Sequence, residues 1–142
     1  MNALVLYAIS FIGVPYRYGS SNPLSGLDCS GLCFEILRAG GVVSQRLSSQ
    51  QLYDYLVVNG VSSNKRAGAI AFFGESDSEI NHVGFMINED LMVSASGGDS
   101  KTLTQEDAVS RNAFVKLRPV TYRHDFIGCL MPQYKINLAI GG

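Results

Sequence analysis

The amino-acid sequence predicts an α+β domain, with helices in its first half and an antiparallel sheet in its second. Three observations carry that prediction. Apolar residues near the N-terminus recur at three- and four-residue spacing, first Leu4, Tyr7, Ala8 and Phe11, then Leu32, Cys33, Ile36 and Leu37. From Ala67 onward they come instead in short runs bounded by glycine and acidic turns. Helices therefore precede strands rather than alternating with them, which favours α+β over a parallel α/β sheet.

At 142 residues the chain has room for one compact domain with a real core, expected to span 1–142. A composition of 46% hydrophobic and 16% charged residues is that of a globular chain, not a disordered one. A formal net charge of -1, with no basic stripe, argues against a nucleic-acid protein held by phosphate contacts. The three cysteines cannot all pair, and their spacing fits no zinc pattern. Neither a metal nor a cofactor is called for, and at least one thiol should be free. Ala3 to Val14 is apolar, but no basic residue precedes it and no small-residue cleavage site follows. It also falls short of the roughly 20 apolar residues that cross a bilayer. The expectation is a buried amphipathic first helix, with no signal peptide and no membrane span.

In chain order, Ala3 to Phe11 reads as that helix, stopped by Gly13 and Pro15. Val14 to Gly26 reads as loop. A second helix carries Cys29 near its start and ends at Gly40-Gly41. Ser48 or Ser49 can cap a third helix running to Asn59-Gly60, and Ser62 to Arg66 reads as polar linker. Ala67 to Phe73 is the first expected strand. His82 to Ile87 and Leu91 to Ser96 form a hairpin about the Asn88-Glu89-Asp90 turn. Val115 to Val120 and Phe126 to Leu130 complete the sheet, and Pro132 ends it.

Chemistry points first to Leu27-Asp28-Cys29-Ser30-Gly31-Leu32, where a glycine- and proline-rich loop gives way to a helix. A cysteine in a helix's first turn feels the positive end of the dipole, which can lower its pKa below the free value of about 8.5. Free cysteines are also among the most buried residues, so packing alone is the plain alternative. A cysteine nucleophile needs a base, and only two histidines exist. His82 begins a strand after a flexible acidic loop, whereas His124 lies in a charged turn and is expected to face solvent. Cys33 and Cys129 read as core residues, with a resolving-thiol role for Cys33 as the alternative.

Val14-Pro15-Tyr16-Arg17-Tyr18-Gly19 followed by Gly26-Leu27-Asp28-Cys29-Ser30-Gly31-Leu32 resembles the signature of the NlpC-type cell-wall cysteine peptidases, the NlpC and p-sixty superfamily. Arg46 with Ser48 and Gln51, Gly68 to Phe73, His82-Val83-Gly84-Phe85, and Phe126-Ile127-Gly128-Cys129 resemble later family segments in the right order. The resemblance implies a papain-like fold whose nucleophile helix packs on a central antiparallel sheet. It implies hydrolysis of peptidoglycan stem peptides, commonly between D-γ-glutamyl and the diamino acid, by a Cys29–His82 thiolate–imidazolium pair. By the same resemblance, Tyr16 contributes its hydroxyl beside the oxyanion site, and Asp28 and Ser30 hold the free amine of the peptide. The alternatives for these two are an N-cap and a first-turn residue.

Two positions depart from the family pattern. The third catalytic residue is usually His, Asn or Gln, and the matching position here is Ser94, shorter and neutral; Ser96 and Asp99 are fallback orienters. Ala69 stands where the family often has Asp. The Ser94 departure motivates a second reading, a weakened or inactive module that binds wall fragments or serves as a structural or phage-tail component. Minimal members of the family occur in phage virions and among effectors delivered by secretion machines. The expectation is a protein made in the cytoplasm, with a virion or secretion-system partner and a non-classical route to the wall; a cytoplasmic enzyme that recycles muropeptides is the alternative.

Overall fold

The computed structural model describes residues 3–135. Four α-helices, α1 (Ala3–Ile9), α2 (Cys29–Ala39), α3 (Ser49–Asn59) and α4 (Gln105–Arg111), accompany one six-stranded sheet and a two-residue ladder, β1 (Ser21–Asn22) with β2 (Gly26–Leu27). The strands of the sheet are β3 (Gly60–Ser63), β4 (Ile70–Gly74), β5 (Ile80–Met86), β6 (Leu91–Ser96), β7 (Phe114–Pro119) and β8 (Phe126–Pro132). They lie in the order β3-β8-β4-β5-β6-β7, and every pairing is antiparallel. The expected α+β class is what the chain adopts, with three helices preceding the sheet and α4 between β6 and β7.

α2 is the helix that positions the site. Leu32, Cys33, Ile36 and Leu37 repeat on one face and are wholly buried. They pack with Ile70, Phe72, Val83, Phe85 and Val93 from the middle strands. Fully burying such a side chain stabilises the fold by about 1.5–3 kcal/mol, so this interface ties the helix firmly to the sheet. The opposite face of the sheet carries a smaller cluster built on Ala71, Phe73, Met86, Met92, Val120 and Cys129. Register explains the division. Phe72 pairs with Val83 toward α2, and Phe73 pairs with His82 toward the smaller cluster, because successive strand residues point to opposite faces.

Besides the β1–β2 ladder, which falls largely in the stretch read as loop, two elements differ from expectation. Gly60–Ser63, half of it read as linker, is an edge strand paired with β8; an edge position tolerates polar residues because one side stays open to water. Gln105–Arg111 is a short helix, started by a reciprocal cap between Thr104 and Asp107 that stands in a Thr-x-x-Asp rather than a Thr-x-x-Glu pattern. The third helix begins as expected, with Ser48 and Gln51 forming a capping box. Among the described residues, no helix is long and apolar enough to cross a membrane.

Candidate active site

Asp28 is the N-cap that starts α2. Its carboxylate accepts from the Gly31 amide at 2.7 Å and from the Gly19 amide at 2.8 Å, tying the loop to the helix. The Arg46 guanidinium closes the cluster, donating through Nη2 to Asp28 at 2.6 Å and through Nη1 to Ser30 Oγ at 2.8 Å. Gly31 is required by close approach, since a Cβ there would collide with the Ser20 carbonyl. The capping alternative for Asp28 is thus realised. Ser30 is a buried first-turn residue that bridges Arg46 and Asp28.

Cys29 follows as the first residue of α2, and it borders a cleft shared with Tyr16, Asp28, Ser30, Arg46, Ser49 and Asn81. Its Sγ lies 3.6 Å from the buried Ser49 hydroxyl. Burial pushes the thiol up, and the Asp28 carboxylate adds to that; the Ser49 hydroxyl and the backbone N–H groups of Val83 and Ser30 pull it down. Desolvation wins, which corrects the expectation of a thiol lowered by the helix start: the sulfur holds its proton.

Tyr16 reaches the same cleft from the preceding loop, held by its amide on the Ala113 carbonyl. Its ring lies against the backbone of Gly98, where a Cβ would overlap ring atoms. Burial, then the proximity of Cys29 and Asp28, keeps the phenol protonated well above its ordinary range. Tyr16 is therefore available as a hydrogen-bond donor beside the sulfur.

His82 sits near the start of β5, at the end of the sheet where β4 carries a bulge after Phe73. The Val83 amide that approaches the Cys29 sulfur is the next peptide along, so the two segments meet through backbone. No hydrogen bond joins the imidazole to the thiol among the described residues. The ring is buried against Phe73, 5.5 Å between centroids, and its Nε2 lies 3.0 Å from the Tyr122 hydroxyl. Burial first, then the Arg123 guanidinium, pushes the imidazole down to about 3, with Asp125 opposing. The ring is neutral at neutral pH, so the resting pair is thiol and imidazole, not the ion pair expected.

Ser94 is wholly buried on β6, but it does not touch the ring as an orienter would; this corrects its assignment. Phe85 pairs with Val93 and Met86 with Met92, and continuing that register sets Ser94 opposite Gly84 and Ser96 opposite His82. Ser94 Oγ bonds Ser96 Oγ at 2.8 Å, and Ser96 Oγ stands 3.5 Å from the Tyr122 hydroxyl. Tyr122, from the 3-10 turn Val120–Tyr122, fills the place beside the imidazole. Nothing in the Thr121-Tyr122-Arg123-His124 stretch signals this, because it is a turn whose placement depends on β7 pairing with β6. His124 is exposed, as expected, and the three cysteines are free and buried.

Comparison with known proteins follows the same lines. The NlpC/P60 family profile matches residues 13–118. A Bifunctional muramidase/DL-endopeptidase CwlT of Bacillus subtilis (strain 168) is 32% identical over 88 residues, covering 60% of this chain and 26% of that protein. A Gamma-DL-glutamyl hydrolase of the same organism is 31% identical over 104 residues, covering 71% and 24%. The chain thus spans about a quarter of the length of these curated relatives. The crystal structure of an NlpC/P60 family protein from Bacillus cereus ATCC 10987 superposes with a TM-score of 0.69 at 22% identity, over 92% of this chain and 39% of that one. The match from Gly13 to Arg118, which takes in the Cys29 helix and the His82 strand, decides the matter: the chain belongs to the NlpC/P60 family.

Proposed function

We propose that this chain is a cysteine peptidase that hydrolyses peptidoglycan stem peptides, at the amide between a D-γ-glutamyl residue and a diamino acid. The observation that carries the reading is Cys29 at a capped helix start, bordering a cleft beside the Tyr16 hydroxyl, with the peptide of His82 and Val83 against its sulfur. Two relatives whose names specify DL-endopeptidase and γ-DL-glutamyl hydrolase activity support the choice of bond.

The chemistry starts from neutral partners. As substrate fills the cleft, the Cys29 proton passes to His82 and the sulfur attacks the amide carbonyl, forming the C–S bond. The tetrahedral oxyanion is met by the Cys29 N–H, which has no helical acceptor at the first position of α2, and by the Tyr16 hydroxyl. The imidazolium returns its proton to the departing amine as the C–N bond breaks. Water activated by His82 then cleaves the thioester and frees the sulfur. Asp28, Ser30 and Arg46 form one wall of the cleft, where the Asp28 carboxylate suits a free α-amine.

Incubation with purified sacculi, or with an L-Ala-γ-D-Glu-diaminopimelate peptide, tests the reading. Release of the dipeptide by the wild type and none by Cys29→Ala is the expected result. No turnover by the wild type, or equal turnover by the variant, would sink it. The buried, protonated thiol favours one rival, a module that binds wall fragments without cleaving them. In that case Cys29 alkylates slowly, at a rate indifferent to His82→Gln, while sacculi still retain the protein.

A further inference from the structure

Resting on the peptidase reading above, we propose that Tyr122 is the positioning residue for His82, and that Ser96 and Ser94 extend it into a hydroxyl chain that leaves Nδ1 as the unprotonated ring nitrogen. The chain runs from Nε2 to the Tyr122 hydroxyl at 3.0 Å, from there to Ser96 Oγ at 3.5 Å, and on to Ser94 Oγ at 2.8 Å. Under this proposal the chain has one polarity, with Nε2–H donating to the Tyr122 hydroxyl and that hydroxyl donating to Ser96. Ser96 Oγ also donates to the Ser94 carbonyl at 3.4 Å, and a carbonyl can only accept. A Ser96 proton on that carbonyl leaves Ser96 Oγ free to accept from the Tyr122 hydroxyl, which in turn accepts from Nε2–H. Nδ1 is then the bare nitrogen.

Tyr122 has the rigidity that an orienter needs. Val120 of the same turn is buried, and its amide donates to the Asp90 carbonyl. The Arg118 guanidinium lies 5.1 Å over the Tyr122 ring. The small side chain at position 94 leaves the space beside the imidazole to a group from a different element. Around the ring stand Tyr122, Phe73, the charged pair Arg123 and Asp125, and the peptide against the Cys29 sulfur.

Two measurements that need no substrate test the assignment: 15N NMR of the His82 ring, and the rate at which iodoacetamide alkylates Cys29 as a function of pH. The wild type should show a neutral ring protonated on Nε2. Tyr122→Phe, which keeps the ring packing, should mix the tautomers and slow alkylation near neutral pH by at least about tenfold, with a shifted pH profile. Ser96→Ala should fall between, and Ser94→Ala should matter least. Wild-type tautomer and alkylation profile in Tyr122→Phe would overturn the assignment, as would a Ser94→Ala effect equal to that of Tyr122→Phe; Ser96→Ala gives the same decision should the phenylalanine variant fold poorly. Failure of the wild type to cleave wall peptides would overturn the peptidase reading alone, because the NMR and alkylation results decide the role of Tyr122 without it.

Discussion

His82 Nε2 and the Tyr122 hydroxyl lie 3.0 Å apart, joining β5 to a turn forty residues later. The bond engages one ring nitrogen with a neutral partner, and the imidazole is buried against Phe73 with the Arg123–Asp125 pair nearby. A histidine in such surroundings stays uncharged until chemistry forces a proton onto it. On the proposed peptidase reading, ionisation of Cys29 and His82 belongs to the substrate-bound state.

That burial makes stability depend on pH. The imidazole is held to about 3 in the folded protein, against 6.5 when free. Between those values the unfolded chain binds the extra proton, so the contribution is complete above pH 6.5 and is lost as pH falls toward 3. The slope from this one group is at most about 1.4 kcal/mol per pH unit. Urea unfolding at pH 4, 5, 6 and 7 should show the wild type losing stability faster on acidification than His82→Gln. Parallel pH dependences would show that the ring titrates normally in the folded state.

Asp28 should be expensive to remove, because it caps α2 and faces Arg46. Asp28→Ala is expected to cost about 2–4 kcal/mol, combining a lost cap with a guanidinium left without its partner, the latter reduced because Arg46 is partly exposed. Asp28→Asn retains a capping oxygen and should recover about 1 kcal/mol of that loss. Equal unfolding midpoints for the two variants would show that the cap contributes nothing.

Gly98 should act through Tyr16. A Cβ at position 98 falls on the Tyr16 ring, so Gly98→Ala must displace the phenol from beside Cys29. Hydrolysis should drop by roughly 10- to 100-fold, the range seen when an oxyanion donor is misplaced or lost. Thermal unfolding should change little by comparison. Full activity in this variant would remove Tyr16 from the oxyanion site.

Ser49→Ala removes the one side-chain hydroxyl that bonds the Cys29 sulfur and pulls its thiol down. Alkylation of Cys29 at a fixed neutral pH should slow by about threefold to tenfold, in keeping with loss of a single hydrogen bond of about 1 kcal/mol. An unchanged rate would show that the hydroxyl does not stabilise the thiolate.

Much of this was legible in the sequence, for identifiable reasons. Helix periodicity around Leu32 to Leu37, the Ser48–Gln51 capping box and the strand runs at Ile70 and Val83 are local signals, and each element lies where its signal does. The Asp28-Cys29 address was legible for the same reason. Electrostatics were not: the helix start argued for a lowered thiol, but burial depends on how α2 seats against the sheet, which no local pattern records. Tyr122 was hidden for a related reason. It reaches His82 only because β7 pairs with β6 and the next turn folds back over that face. Register along one hairpin pointed to Ser94, and the partner came from outside the hairpin.

The most direct test of the central claim is rapid-quench mass spectrometry of the protein mixed with L-Ala-γ-D-Glu-diaminopimelate peptide. The account predicts a transient adduct with the mass of the L-Ala-γ-D-Glu acyl group, localised to Cys29 and absent in Cys29→Ala. Peptide cleavage with no adduct on Cys29, or an adduct on Cys33 or Cys129 instead, would contradict it.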